Sequence, residues 1–175
     1  MIYLDHAATT PVDPEVLEAM LPFFTRRYAN PASAHRPGRD AAEAVDRARR
    51  EVAGLLGSEP DEIVFTGGGT ESNNQALAGT AAERGRHIVT SSIEHPSVLE
   101  ACRHLQGMGR EVTFVPVDPC GLVDPEDVRR AVTGRTAVIS IMHASNEVGI
   151  LQPLGEISEI ARERGVLLHT DAVQT

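Results

Sequence analysis

Three glycines followed by a threonine, Gly67-Gly68-Gly69-Thr70, form the first segment whose residue types and spacing could do chemistry. Glycines let a backbone approach an anion closely, and a helix opening there offers free N–H groups and positive potential. The Thr70 hydroxyl adds a donor, so the loop suits a phosphate. It is not a P-loop, which needs G-K-[ST]. It is not the G-x-G-x-x-G dinucleotide fingerprint either, because Ser72 stands sixth from Gly67. An ordinary tight turn into a helix has the same composition.

His95 precedes Pro96, which favours an extended backbone and a strand-to-helix corner. There the imidazole can stack on an aromatic ring, shuttle a proton or simply cap the helix. Asp171 ends the apolar run Leu167-Leu168-His169-Thr170. A carboxylate at that place needs a partner, and a pyridinium nitrogen or a helix N-terminus would each supply one. Asn146 and Gln174 are neutral amides able to bond a phenolic oxygen or a substrate carboxylate, or to serve a structural bond.

These residues need elements to position them. Short β-branched runs recur at Glu62–Thr66, His87–Ser91, Glu111–Val117, Thr136–Met142 and Val166–Thr170, and each reads as a buried strand. Helical patterns lie between them. Asp13-Pro14, His95-Pro96, Asp124-Pro125 and Gln152-Pro153 place proline in a first helical turn. Gly57, Gly85, Gly134 and Gly165 follow helical segments, where a left-handed closing residue is wanted. Ala41, Val45, Ala48, Val52 and Leu55 mark an apolar helix face. The expected fold is α/β, a mostly parallel sheet with helices on both faces. An N-terminal arm spans residues 1–13 and a single domain residues 14–175, with two helices and no core strand in the first sixty or so. Ligands of such sheets bind beyond the carboxyl ends of the strands. At least four parallel strands should therefore carry Thr70, His95, Asn146 and Asp171 on one rim.

Composition excludes several classes. The net charge is −9 and acidic and basic residues are interspersed, so there is no basic stripe for nucleic acid. Aromatics make up 3% of the chain, too few for base-stacking platforms. No apolar run is long enough to span a membrane. The N-terminus lacks a secretory pattern, which points to the cytoplasm. Cys102 and Cys120 form no C-x-x-C pair and no metal-ligand cluster is visible, so no metal is expected. All sixteen non-histidine basic residues are arginine. Without lysine, no side chain can bind an aldehyde cofactor as an imine.

Taken together the segments resemble the cysteine desulfurases, in the class V aminotransferase group of fold-type I pyridoxal-phosphate enzymes. The resemblance runs from Tyr3-Leu4-Asp5-His6-Ala7-Ala8-Thr9-Thr10-Pro11 through Asn30-Pro31-Ala32-Ser33-Ala34-His35 and Gly68-Gly69-Thr70-Glu71-Ser72-Asn73-Asn74. It continues through Glu94-His95, Asn146-Glu147-Val148-Gly149 and Asp171-Ala172-Val173-Gln174. His6 stands where asparagine is commoner in such proteins.

The resemblance implies pyridoxal 5'-phosphate as cofactor and a role for each residue. Gly69 and Thr70 would bind its phosphate. His95 would stack on the pyridine ring and help move protons as the catalytic histidine. Asn146 would contact the phenolic oxygen and the substrate, Gln174 the phenolic oxygen, and Asp171 the ring nitrogen. It implies L-cysteine as substrate, a protein sulfur acceptor serving iron–sulfur assembly or tRNA thiolation, and a homodimer at full length. Such enzymes carry a Ser-x-His-Lys segment a few dozen residues past the Asp171 motif, then a sulfur-accepting cysteine and a carboxylate-binding arginine. None of these falls within the 175 residues, so the expectation is part of the large domain, inactive by itself. A selenocysteine lyase, a class V aminotransferase or epimerase, and a non-catalytic remnant or complementing partner are the alternatives.

Overall fold

A computed structural model describes residues 2–83 and 85–175. The chain divides into two compact units, residues 1–65 and 66–175.

In the first unit, residues 2–13 carry a turn but no regular element. Helices α1 (Pro14–Thr25) and α2 (Arg36–Leu56) follow. Asp13 caps α1 by accepting the Glu15 N–H at 2.8 Å, and Gly57 closes α2 at φ 67°. The apolar stripe of α2 has helical spacing, yet only Ala41 within it is buried, and Val45 and Leu55 are exposed. The expected strand at Glu62–Thr66 is absent. A 3-10 turn occupies Pro60–Glu62, and its Glu59 N–H is taken by the Glu62 carboxylate at 2.8 Å. Arg49 donates to the Ile63 carbonyl and lies over the Phe65 ring, so this run is held by a side chain and not by a ladder.

The second unit is the α/β layer. Its elements are α3 (Gly69–Glu83), β1 (His87–Ser91), α4 (Pro96–Gly107), β2 (Glu111–Val115), α5 (Pro125–Ala131), β3 (Thr136–Ser140), α6 (Leu154–Arg164) and β4 (Leu167–His169). The strands form one sheet in the order β2-β1-β3-β4, and every pairing is parallel. β2, β3 and β4 each end one or two residues before the expected limit.

Alternation sorts the core to two faces. Ile88 and Val138 pack with Leu77, Val98, Cys102 and Leu105 of α3 and α4. Val89 and Ile139 pack with Val128, Ile157 and Ala161 of α5 and α6. Burying aliphatic side chains on both faces stabilises each by about 1.5–3 kcal/mol, which explains why the centres of β1 and β3 are apolar and both strands are buried throughout. Gly165 closes α6 at φ 65° as expected. Gly134 does not close α5, whose cap is extended Val132. Gly85 answers to a close approach: a Cβ there would lie 2.6 Å from the Arg135 carbonyl.

Candidate active site

The sheet order fixes where a ligand can sit. The chain leaves β1 over one face toward β2, and leaves β3 over the other face toward β4. The carboxyl ends of the adjacent strands β1 and β3 therefore flank a topological switch point, where open α/β sheets bind their ligands. Glu94 and His95 follow β1, Asn146 follows β3 and Asp171 follows β4.

The glycine loop reaches this rim through α3. The first bond of that helix runs from the Ser72 N–H to the Gly68 carbonyl at 3.1 Å. The N–H groups of Gly69, Thr70 and Glu71 thus have no helical acceptor. The Glu71 carboxylate takes the Gly67 N–H at 2.6 Å, and Thr66 and Ser72 join hydroxyls at 2.7 Å, which pins the loop. A Cβ on Gly69 would lie 2.8 Å from Val173 Cγ2, so glycine lets the loop approach the Asp171–Gln174 segment. Thr70 and Asn74 line two adjoining clefts, one running along Gly67–Glu71 and one along His95, Pro96 and Ser97.

Glu94 is almost fully buried across the switch point. Its Oε1 accepts from the Ser91 hydroxyl at 2.6 Å and from the Met142 N–H at 3.0 Å, joining the ends of β1 and β3. Its Oε2 is buried with no partner. Burial pushes the carboxyl up to about 7, against the pull of those donors.

His95 is the N-cap of α4. Its Nδ1 accepts the Ser97 N–H at 3.1 Å and lies 2.8 Å from the Ser97 hydroxyl. Asn73 on α3 donates from one Nδ2 to both the Ser97 hydroxyl and Asp171 Oδ2, each at 2.8 Å. The second Asp171 oxygen accepts the Val173 N–H at 3.0 Å. The carboxylate keeps lone pairs for a further donor. The network joins the glycine-loop helix, the histidine and the aspartate.

Asn146 and Gln174 stand outside this network. Asn146 is half-buried and donates to Glu147 at 3.3 Å, while Gln174 is exposed in the turn after Asp171. That turn is tied to the end of β3 by His143, whose N–H donates to the Asp171 carbonyl at 2.8 Å. Cys102 is buried in the core beneath β1, and burial pushes its thiol up to about 12. Cys120 is exposed in a turn. Among the described residues no group of His, Cys, Asp and Glu is arranged to hold a metal ion.

Asn73 and Ser97 were not singled out by sequence reasoning. The signal was available: Asn73 lies one helical turn after Thr70, and Ser97 two residues after a candidate N-cap.

A phosphate-suited helix start and a rim carboxylate on a parallel sheet define an α/β enzyme domain of the aminotransferase kind. The chain belongs to the class-V aminotransferase family, whose model matches residues 2–175. It is 50% identical to the cysteine desulfurase IscS of Dictyoglomus turgidum over 99% of this chain and 45% of that protein. It is also 50% identical to the IscS of Methanosarcina thermophila, over 99% of this chain and 44% of that protein. A solved NifS-like protein superposes with TM-score 0.95 at 43% identity, covering 99% of this chain and 49% of that one. SspA in complex with cysteine superposes with TM-score 0.94 at 42% identity, covering all of this chain and 51% of that one. The chain thus spans about half the length of these relatives.

Proposed function

We propose that residues 14–175 are the cofactor-binding portion of a pyridoxal 5'-phosphate-dependent cysteine desulfurase. The enzyme would remove sulfur from L-cysteine, leaving alanine and passing the sulfur to a thiolate as a persulfide. The observation that carries this reading is the bond from Asn73 on α3 to Asp171. It joins a site for an anion to a carboxylate suited to a cationic ring nitrogen, the two ends of one cofactor.

The donor set fits that cofactor. The N–H groups of Gly69 and Thr70, with the Thr70 hydroxyl, hold the phosphate at the positive end of α3. Asp171 would meet the ring nitrogen and keep it protonated, Gln174 and Asn146 would address the phenolic oxygen, and His95 would face the ring. When bound, the cofactor supplies an electron sink for bonds at the substrate's α-carbon. Neither Cys102, buried with a raised thiol, nor Cys120 is assigned the sulfur-accepting role.

Equilibrium dialysis with pyridoxal 5'-phosphate and with pyridoxal tests the site. The phosphate form should be retained more strongly, and Thr70→Ala should weaken it by about fivefold, one hydrogen bond's worth. Asp171→Asn should leave the phosphate preference in place while lowering affinity, because an amide cannot hold the ring nitrogen protonated. Equal retention of pyridoxal and its phosphate would remove the reading.

A further inference from the structure

We propose that Ser97 and Asn73 are positioning residues that lock His95 as its Nε2–H tautomer, in a direction set by the charge on Asp171. This rests on the reading of the rim as a pyridoxal-phosphate site. It also assigns His95 a narrower part than the resemblance does: a fixed donor, not a carrier of protons.

The assignment follows from donors that have no choice. The Ser97 backbone N–H can only donate, and it points at His95 Nδ1 from 3.1 Å. Nδ1 is therefore unprotonated in the neutral ring, and the one ring proton is on Nε2. The Asn73 amide has a fixed sense too. An ionised Asp171 only accepts, so the group facing its Oδ2 at 2.8 Å must be the amide NH2. The same nitrogen faces the Ser97 hydroxyl at 2.8 Å and donates to it. That leaves the hydroxyl proton for His95 Nδ1, 2.8 Å away. Bonds thus run from Asn73 to Asp171, from Asn73 to Ser97 and from Ser97 to His95.

Asn73 is 3% exposed and Ser97 8%, so water cannot easily replace either partner. A proton offered to His95 would have to enter at Nδ1, where two donors already point. An amide in the chain cannot pass a proton onward. His95 can present its Nε2–H to an acceptor in the cleft it shares with Thr70 and Asn74. In this tautomer Nε2 donates and does not accept.

The test is nitrogen NMR of histidine-15N-labelled protein at about pH 8.5, where imidazoles are neutral. His95 is assigned by its disappearance in His95→Gln. Two- and three-bond couplings should show the Nε2–H form with Nδ1 as acceptor. Ser97→Ala should move the tautomer ratio toward Nδ1–H by about fivefold, and Ser97→Thr should restore it. Asp171→Asn, two partners away, should move it in the same direction by releasing the Asn73 amide. A parent showing Nδ1–H, or a ratio indifferent to Ser97→Ala, overturns the proposal. The same spectra with pyridoxal 5'-phosphate added separate the two ideas. If the tautomer pattern holds but the cofactor leaves His95 unmoved, the cofactor reading fails and the lock stands.

Discussion

At the residue scale, the rim holds two carboxyls with opposite surroundings. Asp171 is partly open and meets two N–H donors. Glu94 is buried at the switch point with one oxygen orphaned. Burial raises Glu94 from its ordinary 4.5 to about 7. The unfolded chain therefore loses this proton before the folded one does. Stability contributed by Glu94 is intact below pH 4.5, falls as pH rises toward about 7, and is level above that. The loss is about 3 kcal/mol. His87 and His169 act in the other direction: burial lowers both, so their contribution is lost as pH falls below the ordinary histidine range. A raw stability curve mixes these effects. The difference between parent and Glu94→Gln isolates one, because the amide keeps an oxygen for Ser91 and Met142. Urea unfolding across pH 4.5–8 should show the parent losing stability relative to Glu94→Gln as pH rises. A flat difference would mean that Glu94 is not held neutral.

At the element scale, the site is made where helices begin. The first turns of α3 and α4 carry the N–H groups proposed to hold the phosphate and the His95 cap, and Asn73 ties them together. The close approach at Gly69 is part of this: alanine there would press on Val173, two residues beyond Asp171. Gly69→Ala should therefore weaken pyridoxal 5'-phosphate binding by roughly tenfold while changing stability by about 1 kcal/mol or less, since a rotating Val173 can yield. Calorimetry of both quantities checks the split; equal losses of fold and affinity would contradict it.

The elements were legible where one force dominated. The β-branched runs of β1 and β3 read as buried strands, and Asp13-Pro14 and Asp124-Pro125 as helix starts. Glu62–Thr66 has the short apolar run of a strand, but Arg49, thirteen residues upstream of Glu62, claims its backbone and ring. Gly134 follows a helical pattern that ends too early to need it. The rim residues His95, Asn146 and Asp171 were legible because strand ends announce them. Asn73 and Ser97 sit inside helices, where a polar residue reads as surface unless its long-range partner is known.

For the whole molecule, two features lie outside any single element. The first is the sheet edge. Among the described residues β4 pairs only with β3, and Leu167 on it is 41% exposed. An uncovered parallel strand offers unpaired backbone groups to another chain. The 175 residues should associate as concentration rises, and Leu167→Lys should reduce this in sedimentation velocity runs. Identical profiles for the two proteins would exonerate the edge.

The second is the complete lack of lysine. Pyridoxal 5'-phosphate held by Gly69, Thr70 and Asp171 would be bound only by hydrogen bonds and charge. Arginine cannot substitute, since its guanidinium stays protonated and is not a nucleophilic amine. The N-terminal amine is the one primary amine in the sequence. After incubation with the cofactor, borohydride reduction and digestion, mass spectrometry should find a pyridoxyl group at the N-terminal peptide or nowhere. Dialysis before reduction should remove most of the cofactor. Sulfide release from L-cysteine should not exceed that of the cofactor without protein, because no lysine is present to hold the cofactor as an imine and the Cys102 thiol is buried in the core. A pyridoxyl mass within the Gly67–Thr175 region, or sulfide above the control, would show that this sequence holds a covalent or catalytic route its composition denies.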